Sequence, residues 1–255
     1  DALILNPIGY YMHYDPSPIM VMQPTIQMAE TFSKDRLTPM LRDTPVLRDK
    51  VNDKSRNSGN TILQKIFPGG HVTMVGANSP SSLASRPIRI LLADEIDRYP
   101  ATAGNEGDPL LLAGKRLATF WNKKEVCVST PTIKETSRIA VEYEHSTQEE
   151  WNVPCPACGA YTPLLWANII FDKDKLDDIG CVCPACGVVS SETEWKEQFG
   201  KGKFVAAHPE RKVRGFHLNA LASLFVEWRE IVEKFLTANE EKKKGNIELL
   251  KAWTN

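Results

Sequence analysis

Two adjacent carboxylates close an unbroken apolar run, Ile90-Leu-Leu-Ala-Asp94-Glu95. A buried strand of this kind ends in the crevice at the carboxyl edge of a parallel sheet, where such sheets bind their ligands. There the first acid, Asp94, can hold a hydrated magnesium ion that bridges nucleotide phosphates. The second, Glu95, can polarise an attacking water. The pattern is that of a Walker B strand. Acids follow apolar strands constantly, so by itself it describes a strand ending in a solvated turn equally well.

A second stretch, Val126-Cys-Val-Ser129-Thr130-Pro131, ends a strand in hydroxyls. Beside a Walker B strand, Ser129 or Thr130 can bond a γ-phosphate or the attacking water, and movement of that strand end can be passed on to more distant loops. Alone, the same residues describe a Ser/Thr turn with Pro131 opening the next element.

The third signal is the most specific. Cys155-Pro-Ala-Cys158-Gly159 recurs as Cys183-Pro-Ala-Cys186-Gly187. In a chain with no visible secretory leader, paired Cys-x-x-Cys turns indicate a metal and not disulfides. Four thiolates give closed tetrahedral zinc coordination, a structural and not a catalytic site, and each glycine permits the turn after its second cysteine. Cys155, Cys158, Cys183 and Cys186 are the expected ligands. Cys181 is a rival to Cys183 but lies outside the repeat, and Cys127 reads as a core thiol in mid-strand.

No Gly-x-x-x-x-Gly-Lys-Ser/Thr occurs in the 255 residues. A Walker B strand without a phosphate loop clamps a triphosphate poorly. Either the loop is expected upstream of residue 1 or the Walker B reading fails.

These groups need a frame. A length of 255 residues, 42% hydrophobic and 25% charged, suits one α/β domain with a small appendage. No apolar run is long enough to cross a bilayer. A net charge of −1 confines any nucleic-acid contact to local loops and not to a whole basic face. Apolar strands are expected at Ile19–Gln23, Val72–Gly76, Ile88–Asp94 and Glu125–Ser129, separated by helical stretches. That alternation means a parallel sheet flanked by helices. A helix is expected over residues 3–13 in spite of Pro7, and a second from a Thr25 cap to about Leu41. Residues 43–60 read as a polar surface helix and loop, and Asn78–Arg86 as a Ser/Pro-rich loop. The expected division is a core at 1–150, a zinc-ribbon insertion at 151–190, and a return to the core at 191–255. That last part holds a strand at Val213–Leu221, a helix at Trp228–Ala238 and a solvated charge run at Glu240–Gly245.

Taken in order, these motifs resemble the lambda-type (GpA) large terminase of tailed phages. The resemblance rests on Val21-Met-Gln-Pro-Thr25, on Thr38-Pro-Met-Leu-Arg42-Asp-Thr-Pro45 and on the Gly76-Ala-Asn-Ser-Pro80-Ser-Ser-Leu83 loop. It continues through Asp94-Glu95, Gly107-Asp-Pro109 with Lys115-Arg116, Ser129-Thr130-Pro131 and Val153-Pro-Cys-Pro-Ala-Cys-Gly159. It ends with Phe216-His-Leu-Asn-Ala220 and with Leu249-Leu250-Lys251 and Asn255. It implies a P-loop NTPase-like fold of the additional-strand, catalytic-glutamate (ASCE) type that uses ATP and Mg2+. The implied activity is translocation of double-stranded DNA into a procapsid, in the host cytoplasm and without a membrane. The implied partners are a small terminase subunit, the portal and further copies of the chain in a ring. A phosphate loop just before residue 1 and a nuclease region after residue 255 would complete that pattern. In such rings a neighbour's arginine commonly completes each site. Arg86, in the loop before Walker B, is the candidate by position, with Arg98 and Arg116 as rivals.

Two other readings compete. The chain can be a zinc-ribbon module for DNA or protein on a non-hydrolysing α/β scaffold, which would tolerate Glu95→Gln. A helicase-like ATPase shares the Walker logic but calls for a second motor domain, which these residues do not show.

Overall fold

The computed structural model describes residues 2–51, 59–84, 86–132 and 136–254. They form two compact units, Asp1–Pro131 and Thr132–Asn255.

In the first unit, α1 (Ala2–His13) forms in spite of Pro7 and buries Ile4, Ile8 and Met12 along one face. Strand β1 (Pro18–Gln23) is buried over nearly its whole length. Thr25 then caps α2 (Ile26–Phe32), its Oγ1 accepting from the Met28 N–H at 3.2 Å. The chain stays helical through a π segment, Ser33–Leu37, into α3 (Thr38–Asp43). The Ser33 hydroxyl donates to the carbonyl of Ile62. Pro45 opens the short α4 (Pro45–Arg48). It falls within the polar stretch 43–60, whose residues 52–58 lie outside the described ones.

Strands β2 (Gln64–Phe67) and β3 (Gly70–Gly76) follow, then α5 (Pro80–Leu83), β4 (Ile90–Asp94), α6 (Pro109–Gly114) and β5 (Lys124–Val128). The sheet order is β2-β3-β1-β4-β5. β1, β3, β4 and β5 run parallel, as expected. β2 runs antiparallel to β3, so the sheet is mixed and not purely parallel. The cause is local: Pro68-Gly69 makes a tight turn, with Gly69 at φ 86°. One face packs Ile19, Val21, Ile90 and Leu92 against α1 to α4. The alternate residues Met20, Met22, Leu91 and Ala93 are also buried, and α5 and α6 touch β3 and β4. Burial on both faces explains why these strands read as continuous apolar runs.

The second unit starts at Thr132, so residues 132–150 group with it and not with the first sheet. It comprises α7 (Arg138–Glu144), β6 (Glu149–Pro154), β7 (Tyr161–Pro163), β8 (Ile169–Asp172), β9 (Lys175–Val182), β10 (Val189–Ser191), α8 (Glu192–Glu197) and β11 (Lys203–Ala206). It ends with β12 (Phe216–His217), α9 (Trp228–Lys243) and α10 (Glu248–Thr254). The expected return of residues 191–255 to the first sheet does not occur among the described residues. β11 and β12 instead pair with β6. Arg214, just before β12, grips the buried Glu149 of β6 with two bonds of 2.7 Å.

Residues 151–190 pack together with the residues that follow them. Val153, Cys181 and Cys183 share one core with Trp195 and Trp228. Trp195 Nε1 donates to the Cys181 carbonyl at 3.2 Å, and Trp228 Nε1 to that of Leu221 at 2.9 Å. Glu192 accepts the Trp228 N–H with both oxygens at 3.0 Å, capping α9 from another helix. The charge run at the end of α9 is solvated, as expected, with exposed pairs such as Lys243–Glu240. No helix among the described residues is long and apolar enough to cross a membrane.

Candidate functional site

Parallel pairing brings the carboxyl ends of β1, β4 and β5 side by side. Met22 lies opposite Ala93, and Asp94 opposite Val128. Asp94 therefore sits between the end of β1, at Gln23, and the end of β5, next to Ser129. Gln23 is 4% exposed, and its Nε2 donates to Asp94 Oδ2 at 2.9 Å. The sequence alone does not single out Gln23 as a neighbour of Asp94. The signal was the same one that marked Asp94: a polar residue closing an apolar run, Ile19-Met-Val-Met-Gln23.

Glu95 takes a left-handed backbone conformation, φ 55° and ψ 44°. For a non-glycine residue this costs on the order of 1 kcal/mol and is a feature of functional turns. The bend lets the strand stop at Asp94 and sends Glu95 into a short 3-10 turn, Ile96–Arg98. Its Oε2 accepts from Arg98 Nε at 3.0 Å. Ser129 is joined to the same turn, its Oγ accepting from the Asp97 N–H at 3.2 Å and donating to the Thr130 carbonyl at 3.2 Å. Thr130 itself is exposed. Tyr99, buried, donates its hydroxyl to the Met22 carbonyl at 3.0 Å and fastens the turn to β1. Gly76, at the same edge, has no room for a side chain: a Cβ there would lie 2.6 Å from the Ile26 nitrogen.

The three arginines divide. Arg98 is held by Glu95. Arg116 donates to the Ala84 carbonyl at 3.3 Å. Arg86 is exposed and lies at the amino edge, where its charge, after burial, helps to draw the His71 pKa below its usual value. Strand β4 separates that edge from Asp94 by roughly 13 Å. Arg86 is therefore outside the Asp94–Glu95–Ser129 cluster of its own chain.

The four cysteines of the repeats converge. Each pair lies at the tip of a hairpin, one between β6 and β7 and the other between β9 and β10. All four sulfurs fall within 4.8 Å of one another. The contacts between the two turns are 3.9 Å for Cys155–Cys186 and 3.8 Å for Cys158–Cys183. A sulfur tetrahedron around zinc has an edge of about 3.8 Å, so the donor set fits that ion. Gly159 and Gly187, at φ 73° and 75°, close the turns through N–H bonds to the Cys155 and Cys183 carbonyls. Cys181 is outside the cluster. Burial first, then the neighbouring Cys183 and Cys155, pushes its thiol to about 11. Cys127 is half-buried on β5.

Residues 1–204 match the family described as "Phage terminase large subunit gpA, ATPase domain". The chain belongs to this family. Residues 213–255 match a second description, "Terminase large subunit gpA, endonuclease domain", where the sequence alone suggests the last part of the ATPase region. The terminase large subunit of Enterobacteria phage P21 is 24% identical over 263 residues, covering 92% of this chain and 41% of its own length. That of Escherichia phage lambda is 26% identical over 164 residues, covering 62% and 25%. The chain thus spans about two fifths or less of the length of these relatives. The solved Thermus phage P74-26 large terminase ATPase domain aligns with 98% of this chain and 79% of its own, at 13% identity and a TM-score of 0.44.

Proposed function

We propose that this chain is the ATP-hydrolysing part of a terminase large subunit, which drives double-stranded DNA into a procapsid. One observation carries the reading: Asp94 and Glu95 end the strand next to β5, whose Ser129 is bonded to the turn that follows them. A polyphosphate site at this edge matches the general rule for open α/β sheets.

Asp94, oriented by the Gln23 amide, would hold a hydrated magnesium ion. Magnesium, when bound with ATP, neutralises charge building on the transferred phosphate. Glu95 accepts the proton of the attacking water, for which it must leave Arg98. Ser129 and Thr130 report that event, because a shift of the Ile96–Arg98 turn pulls on Ser129 and so on the end of β5. Cys155, Cys158, Cys183 and Cys186 would hold a structural Zn2+ in a zinc-ribbon arrangement, the chain supplying all four sulfur ligands. The domain reading that accompanies this is a P-loop NTPase-like core followed by the zinc-binding part. The partners are the small terminase subunit, the portal and further copies in a ring, working in the host cytoplasm. Arg86 serves a neighbour's site, since it is remote from its own.

The test is magnesium-dependent ATP hydrolysis by a longer form of the chain that includes a phosphate loop, beside the 255 residues themselves. Turnover by the longer form, reduced about a hundredfold or more by Glu95→Gln with DNA binding kept, is the expected result. No hydrolysis by either, with DNA present, leaves the zinc-bearing binding module as the better account.

A further inference from the structure

The two edges of the first sheet carry opposite charge. The amino edge is formed by the start of β1, the loop before β4 and the loop before β5. These loops are tied together by Ile88 N–H to Arg116 carbonyl at 3.2 Å and Lys124 N–H to Arg89 carbonyl at 3.0 Å. Residues 84–89 and 115–124 contain Arg86, Arg89, Lys115, Arg116, Lys123 and Lys124 and no acid, and the exposed Glu125 that follows is the one carboxylate next to them in sequence. Arg89 is neutralised by Asp15. Among the described residues, none of Arg86, Lys115, Lys123 and Lys124 pairs with a carboxylate. Trp121 projects from this edge 95% exposed, and Tyr14, just before β1, is 76% exposed. At the carboxyl edge, residues 94–108 contain Asp94, Glu95, Asp97, Glu106 and Asp108 against the single cation Arg98.

A solvated surface gains nothing from a bare indole, whereas tryptophan, tyrosine and arginine are the residues that anchor protein interfaces. The choice of partner follows from charge. A surface that only gripped nucleic acid would need no matching acidic face on its own molecule. Here the matching face exists at the opposite end of the same strands, in a chain whose net charge is −1. Such a molecule is complementary to the opposite edge of a second copy, a heterologous head-to-tail contact that closes into a ring when successive copies are also rotated.

We propose that the amino edge, through Trp121, Lys123 and Lys124, docks on the 94–108 edge of a second copy of this chain. This deepens the reading of the chain as a member of a ring, by naming the surface that joins its copies. It concerns association without nucleotide, so it stands or falls separately from ATP hydrolysis.

The experiment uses the 255-residue chain. Unlabelled and 15N-labelled protein are mixed at low salt, joined by a zero-length carbodiimide, and the crosslinked peptides are read by mass spectrometry. Expected are mixed-label links from Lys123 or Lys124 to acids of residues 94–108. Links within one copy are barred, because the strands hold the two edges apart. Sedimentation then compares Lys123→Glu/Lys124→Glu, the reciprocal Glu106→Lys, and their mixture, with circular dichroism confirming that each is folded. Each variant alone should self-associate about tenfold or more weakly, and the mixture should regain association. The proposal is overturned by the absence of mixed-label links, by association that ignores the reversals, or by variants that lose DNA binding while self-associating normally. The last result would assign the edge to nucleic acid.

Discussion

Gln23 and Asp94, 71 residues apart in sequence, meet across adjacent parallel strands with the Gln23 amide donating to Asp94 Oδ2 at 2.9 Å. The buried amide fixes the orientation of the Asp94 carboxylate. Gln23→Leu removes the donor but keeps the bulk. In a longer, hydrolysing form of the chain it should raise the magnesium concentration needed for half-maximal turnover severalfold. Stability should fall by about 1–3 kcal/mol, since a hydrogen bond to the Asp94 carboxylate is lost. An unchanged magnesium requirement removes Gln23 from the site.

Arg86 and His71 share the amino edge, and the pKa of His71 is lowered by burial and then by Arg86. Arg86→Ala should raise that pKa while leaving it below the usual histidine value, because burial remains. NMR titration of His71 measures this. In the longer form the same variant should cut DNA-stimulated turnover about a thousandfold if Arg86 completes a neighbour's site. Normal turnover assigns Arg86 to the surface alone.

Replacing Cys155 and Cys158 together with serine should abolish stoichiometric zinc, measured by elemental analysis. Structural zinc contributes on the order of 10 kcal/mol of binding free energy, so the loss is felt in folding. It should spread beyond the knuckles to Trp195 and Trp228, which share their core, and the fluorescence of the second unit should report it. Zinc retained at one per chain removes these two cysteines from the ligand set.

Glu149 is 4% exposed, and the paired guanidinium of Arg214, helped by the Thr147 hydroxyl, holds its carboxyl below the usual value. A depressed folded-state pKa contributes stability above the unfolded value of 4.5, and this is lost as pH falls through the folded value. Arg214→Ala should therefore move the acid-unfolding midpoint of the second unit to higher pH, read by tryptophan fluorescence. A midpoint that does not move means the pair contributes nothing at acid pH.

What the sequence determined by itself lies in local pattern. The repeated Cys-Pro-Ala-Cys-Gly turns named all four sulfurs that converge, because a tight turn places two thiols together without help from the rest of the chain. The runs at 19–23, 72–76, 88–94 and 125–129 named four of the five strands of the first sheet, because burial on both faces demands unbroken apolar residues. Thr25 and its helix were legible for the same kind of reason, a hydroxyl placed to meet an orphan N–H. The tertiary structure alone decided which strands became neighbours, and with that everything non-local. It put Gln23 beside Asp94, joined Ser129 to the turn after Glu95, and left Arg86 on the far edge. It also carried residues 132–150 and Phe216–His217 into the second unit. The grip of Arg214 on Glu149 and the burial of Trp195 and Trp228 reward that pairing, and neither leaves a periodic trace in sequence. Strand order and edge charge arise from pairings between distant segments, so no window of residues, however regular, contains them.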